Sequence, residues 1–103
     1  MEEDLIIFKH LVRSFIATNV NIGKLTTVNN GTHIGHDSEI GDFCSFMVNV
    51  DISGNCVLGK KVFVDSNATI IPKKNICDSV IVCYGSIVIK NKRNANTQYS
   101  KKR

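Results

Sequence analysis

His36 and Asp37 stand side by side in the segment T-H-I-G-H-D-S. An imidazole next to a carboxylate is a pair of groups able to move a proton. A histidine near neutral pKa accepts a proton from an attacking amine or hydroxyl, and a carboxylate partner raises its basicity and fixes its tautomer. The same two residues also suit a solvent-exposed corner with no task at all. Two further histidines, His10 and His33, invite a metal reading, but a zinc site needs three ligands gathered together and His10 lies far off in sequence. Cys44, Cys56, Cys77 and Cys83 form no C-x-x-C pair and no zinc-ribbon spacing, so they read as reduced thiols packed as small apolar groups. No metal is expected.

The elements that position these residues follow from a repeat. Every sixth residue from Ile16 is large and apolar: Ile16, Ile22, Val28, Ile34, Ile40, Phe46, Ile52, Leu58, Val64, Ile70, Ile76, Val82 and Val88. Two places before each comes a small or β-branched residue, from Val20 through Thr26, Thr32, Ser38 and Cys44 to Ser86, and only Lys74 breaks this second series. Strand side chains alternate faces, so inward positions two apart belong to one short strand. The remaining residues turn a corner, where Gly, Asn and Asp suit positive φ. Gly23, Gly35, Gly41 and Gly59, each following its large apolar residue, are the expected corner glycines. Three strands close a coil of eighteen residues, so 16–89 predicts about four stacked coils with parallel pairing. The architecture is an all-β parallel solenoid.

Outside the repeat the chain changes character. Residues 2–13 place Leu5, Ile6, Phe8, Leu11 and Val12 on a helical stripe with acids first and bases last, so 1–15 is read as a short helix or cap. A strand starting near residue 10 is the other reading. Residues 1–89 hold seven Lys/Arg against nine Asp/Glu, whereas 90–103 hold six Lys/Arg and no acid. The basic balance belongs to this tail, read as irregular and solvated, and with Tyr99 its only aromatic it does not make a nucleic-acid grip. No apolar run approaches the length of a membrane span, and Glu2, Glu3 and Asp4 stand where a secretory leader carries base. A cytoplasmic location is expected.

The stretch from Asn29 to Pro72 resembles the sugar-nucleotide acetyltransferases of the hexapeptide-repeat class, a group that includes sialic acid O-acetyltransferases and amino-sugar N-acetyltransferases. The segments that carry the resemblance are N-N-G-T-H-I-G-H-D-S-E-I-G-D-F, D-I-S-G-N-C-V-L-G and A-T-I-I-P. It implies a left-handed parallel β-helix; the hand follows from the resemblance alone, since parallel crossovers are ordinarily right-handed. It implies a homotrimer, acetyl-CoA as co-substrate, and a sugar or sugar-nucleotide acceptor acetylated on an amino or hydroxyl group. By the same resemblance His36 is the general base and Asp37 orients it, Asn29 meets the acceptor sugar, and the Gly54 N–H faces the acetyl carbonyl. Ser45 stands where close relatives often carry a second histidine near the acetyl group. Gly85 and Ser86 keep the small character of residues along the CoA arm, while Cys83 and Tyr84 replace small ones.

The sequence also departs from that family. About fifteen residues precede the first coil where relatives carry a nucleotide-sugar domain, and N-T-Q-Y-S-K-K-R replaces a terminal G-x-P-A-K-like segment that contacts CoA. The competing reading is therefore a non-catalytic or degenerate trimeric solenoid that is structural or only binds CoA. Trimeric carbonic anhydrases share the solenoid but need three histidines across a subunit boundary. Serine acetyltransferases need a different His–Asp layout and a helical N-terminal domain.

Overall fold

The structure, a computed structural model, describes residues 13–93 in full and, in the flanking segments, the strands Ile6–Phe8 and Gln98–Tyr99. Its strands are two or three residues long and stack into three parallel sheets, the three faces of a prism. Face 1 holds Ile6–Phe8, Thr26–Val28, Ser45–Phe46, Phe63–Val64, Ile81–Val82 and Gln98–Tyr99. Face 2 holds Phe15–Ile16, His33–Ile34, Asp51–Ile52, Thr69–Ile70 and Ile87–Val88. Face 3 holds Asn21–Ile22, Glu39–Ile40, Val57–Leu58 and Asn75–Ile76. Within faces 2 and 3 these strands pair residue for residue one coil away, as Ile16 with Ile34, Ile34 with Ile52 and Ile40 with Leu58.

The six-residue period sorts side chains as the sequence predicts. From Val28 to Val88 every large position is buried, Phe46, Ile34, Ile52 and Ile70 completely, and these residues stack along the axis as one core. The small inward positions are buried as well, apart from the half-exposed Lys74. From Thr26 to Cys56 their hydroxyls and thiols follow one rule, donating to a carbonyl fifteen residues on. Thr26 Oγ1 reaches Gly41 O (3.1 Å), Thr32 Oγ1 Met47 O (2.8 Å), Ser38 Oγ Ser53 O (3.1 Å) and Cys44 Sγ Gly59 O (3.2 Å). A polar atom at this depth must find a partner, and these carbonyls supply one for Ser, Thr and Cys.

Corner geometry corrects one expectation. The left-handed conformation recurs at every sixth residue without exception, at Arg13, Asn19, Leu25, Gly31, Asp37, Phe43 and onward to Gly85, with φ between 55° and 75°. Gly23, Gly35, Gly41 and Gly59 are not at these positions. They are glycines because the next coil passes too close for a side chain: a Cβ on Gly35 would lie 2.5 Å from Gly54 N, and one on Gly41 2.6 Å from Gly59 C. Leu25 and Phe43 adopt the strained conformation instead, at φ 55° and 60°.

Both ends depart from the expectations too. Ile6–Phe8 is a strand, not part of a helix; it pairs in parallel with Thr26–Val28, whose open edge supplies backbone partners. The rest of the helix expected over 1–15, residues 1–5 and 9–12, lies outside the described residues, apart from 13–15 where the first coil begins. In the tail, Lys92 bridges to Ile76 and Gln98–Tyr99 extends face 1 beside Ile81–Val82, so at these residues the chain continues the sheets.

Candidate active site at the edge between faces 2 and 3

His36 and Asp37 sit on the corner that joins His33–Ile34 to Glu39–Ile40. The corners above and below it form one edge of the prism, on which Thr18, His36, Gly54 and Pro72 make one column and Asn19, Asp37, Asn55 and Lys73 the next. Backbone bonds lock this stack: Asp37 N–H donates to Thr18 O (3.1 Å), Asn55 N–H to His36 O (2.9 Å) and Lys73 N–H to Gly54 O (3.0 Å). His36 and Gly54, one eighteen-residue coil apart in sequence, are therefore neighbours in adjacent coils.

The side chains around His36 fix the orientation of its ring. Its Nδ1–H donates to Asp37 Oδ2 at 2.9 Å, so in the neutral ring Nε2 carries the lone pair. Asp37 accepts a second bond on Oδ1, from Asn19 Nδ2 one coil below (2.6 Å). Asn19 escaped the sequence reading, although stepping back one eighteen-residue coil from Asp37 would have found it. The bond from His36 lowers the Asp37 pKa below its ordinary 3.8, and the bond from Asn19 adds to the effect. The imidazole lies across Gly54: a Cβ there would come within 2.8 Å of His36 Nε2. Gly54 has no positive φ, so its lack of a side chain makes room for the ring and not for a turn.

Gly54 also leaves a donor open. At three equivalent corners the N–H is capped by the side chain one coil on: Lys24 by Asp42 Oδ1 (3.0 Å), Val48 by Ser66 Oγ (3.2 Å) and Lys60 by Asp78 Oδ1 (2.8 Å). Above Gly54 that position is Pro72, which has no side-chain acceptor, and the Gly54 N–H has no acceptor among the described residues. A free basic nitrogen and an uncapped N–H thus share one edge. Such a pair can deprotonate a nucleophile and stabilise an oxyanion.

The other residues singled out in the sequence lie elsewhere on the prism. Asn29 and Gly85 are on the edge between faces 1 and 2, and Ser45 is half-buried on the outward side of face 1. The Asn29 amide donates to Phe46 O (3.0 Å), the backbone task of a turn asparagine. Gly85 adopts φ 68° with open space around its Cα, so there the glycine serves the corner. Cys44 and Cys56 are buried, and burial raises both thiol pKa values. Among the described residues no three His, Cys, Asp or Glu side chains could hold a metal, and no helix is long and apolar enough to cross a membrane.

Solved structures of similar fold share this solenoid. PerB from Caulobacter crescentus, solved with CoA and GDP-perosamine, superposes at a TM-score of 0.71 with 25% identity, over 84% of this chain and 47% of its own. A histidine-to-alanine mutant of GDP-perosamine N-acetyltransferase from Caulobacter crescentus, also with CoA and GDP-perosamine, gives a TM-score of 0.65 at 20% identity, over 88% and 52%. The acetyltransferase domain of PglB from Neisseria gonorrhoeae gives 0.50 at 10%, over 87% and 49%. No family model matches the sequence. The chain has the parallel solenoid fold of these acetyltransferases and spans about half the length of the structures it matches.

Proposed function

We propose that this chain is the solenoid of an acetyl-CoA-dependent acetyltransferase acting on an amino or hydroxyl group of a sugar or sugar nucleotide. The observation that carries the reading is His36, with Nδ1–H held by Asp37 and Nε2 free beside the uncapped Gly54 N–H. The acceptor's nitrogen or oxygen attacks the thioester carbonyl carbon while His36 Nε2 takes its proton. The Gly54 N–H donates to the carbonyl oxygen as it gains charge. The C–S bond then breaks, and the proton on His36 returns to the thiolate, giving acetylated acceptor and free CoA.

Charge supports the co-substrate. From Lys60 to Arg93 the solenoid carries Lys60, Lys61, Lys73, Lys74, Lys90, Lys92 and Arg93 against Asp65 and Asp78. Lys73 stands on the same edge as His36, two coils on, so an anionic phosphate chain finds cations in the coils beyond the base. Asn29, Ser45 and Gly85 lie away from this edge, so they join one site with His36 only if a second copy brings them there. A homotrimer is the assembly proposed to do so. Cytoplasmic reducing conditions suit its four cysteines, none of them in a disulfide.

The test is release of CoA thiol from acetyl-CoA with GDP-perosamine as acceptor, in wild type and His36→Ala. The variant should lose roughly 10²–10⁴ in kcat with CoA affinity unchanged, the usual range for a general base. Equal turnover by both would remove His36 from the mechanism. CoA binding without turnover by either, across amino and hydroxyl acceptors, would favour the non-catalytic solenoid. Light scattering should give three times the chain mass, and a stable monomer at micromolar concentration would overturn the trimer.

A further inference from the structure

Face 2 borders the His36 edge and carries polar and aromatic side chains that the acyl-transfer step leaves unused. His33, three residues before His36, points outward and is exposed. Its Nε2–H donates to the Arg13 carbonyl (3.2 Å), so in the neutral ring Nδ1 is a lone-pair acceptor. Asp51 is its register partner one coil on, also exposed, and its carboxylate meets no donor among the described residues. One coil below, Phe15 meets the His33 ring edge-on, with centroids 6.3 Å apart and an interplanar angle of 82°. Phe15 is 60% exposed, so the core does not account for it. Between His33 and His36 lies Gly35, which leaves that part of the face without a side chain.

We propose that His33, Asp51 and Phe15 form the acceptor subsite and set its specificity, an inference that rests on the acetyltransferase reading above. An aromatic ring offers a surface to the C–H face of a pyranose, and two hydrogen-bond acceptors beside it suit hydroxyl or ammonium donors. Three residues of extended chain separate His33 from His36, about 10 Å. A hexose lying over Gly35 therefore reaches His33 at one side and presents a substituent to His36 at the other. Asp51 lies on this surface and Asp37 borders its His36 end; no Lys or Arg stands on the face 2 strands of the three coils that form it, and Arg13, whose carbonyl His33 meets, stands at the far corner before Phe15. The subsite selects a neutral or amino sugar and rejects a ring bearing a carboxylate, such as a sialic acid.

The experiment compares the full chain with Asp51→Asn and His33→Asn, measuring separate KM values for GDP-perosamine and acetyl-CoA. Each variant should raise the acceptor KM about tenfold or more, as loss of a charge-assisted hydrogen bond does, with the acetyl-CoA KM unchanged. Asp51→Asn should also narrow the preference for GDP-perosamine over free sialic acid, a change that a structural role would not cause. An unchanged acceptor KM in both variants overturns the proposal, as does an equal rise in both KM values or an altered oligomeric state with the acceptor KM kept. Saturation-transfer NMR with GDP-perosamine separates the two readings if wild type turns nothing over. Binding that Asp51→Asn weakens supports the subsite without the chemistry, and binding that is absent or indifferent to the variant removes it.

Discussion

His36 divides its two nitrogens between holding and reacting, and each neighbour acts on one of them. Asp37→Asn keeps a residue that tolerates φ 60° and removes the charge, so the fold should persist while kcat drops by roughly 10²–10⁴ through loss of the oriented tautomer. Steady-state rates alongside circular dichroism would separate these effects. Because the folded Asp37 pKa is lowered, its interaction is complete above the ordinary value of 3.8 and fades only as pH falls through the lower one. Asn19→Ala removes one cause of that depression and should move the Asp37 titration up, toward 3.8, in a carboxyl-carbon NMR titration. The two glycines next to this pair should behave differently. Gly54→Ala meets the imidazole, which can swing away, so activity should fall with little loss of stability; Gly35→Ala meets backbone and should unfold at lower urea concentration. The His–Asp pair and its eighteen-residue relation to Gly54 were legible in the sequence. The purpose of the glycines was not, because only the path of the next coil shows which atoms a side chain would strike.

Each corner requires one left-handed residue, and composition does not reveal which. Asn and Asp fill the position at Asn19, Asp37, Asn49, Asn55 and Asn67, but Leu25, Phe43, Lys61 and Lys73 fill it as well. A non-glycine residue in this conformation costs on the order of 1–2 kcal/mol, and Asn less. Lys61→Asn, on the edge away from His36, should stabilise the protein by up to about 1 kcal/mol, read as a raised urea midpoint. The ends were read less well than the corners. Leu5, Ile6, Phe8, Leu11 and Val12 fit a helical stripe, yet Ile6–Phe8 pairs along the open edge of Thr26–Val28, a partner twenty residues away that local periodicity cannot reveal. At the other end Ile81 pairs with Gln98, seventeen residues on, so a strict count of six loses the pattern that the backbone keeps.

Across the whole molecule, one column of apolar side chains runs the length of the described coils, and Ile52 stands completely buried near its middle. Ile52→Ala should cost roughly 2–5 kcal/mol, because close-packed neighbours above and below relax only partly, and thermal unfolding would measure it. The uniform coil length has a further consequence, for folding kinetics. Each strand finds its partner one turn away, so every added turn closes a chain segment of nearly the same length and gains nearly the same contacts. Stability is then a sum over nearest neighbours, and order spreads like a zipper from wherever two turns first meet. Amide protons should exchange in a gradient, slowest around Ile52 and Leu58 and progressively faster toward either end. Ile52→Ala should divide that gradient into two cooperative blocks, each unravelling independently of the other.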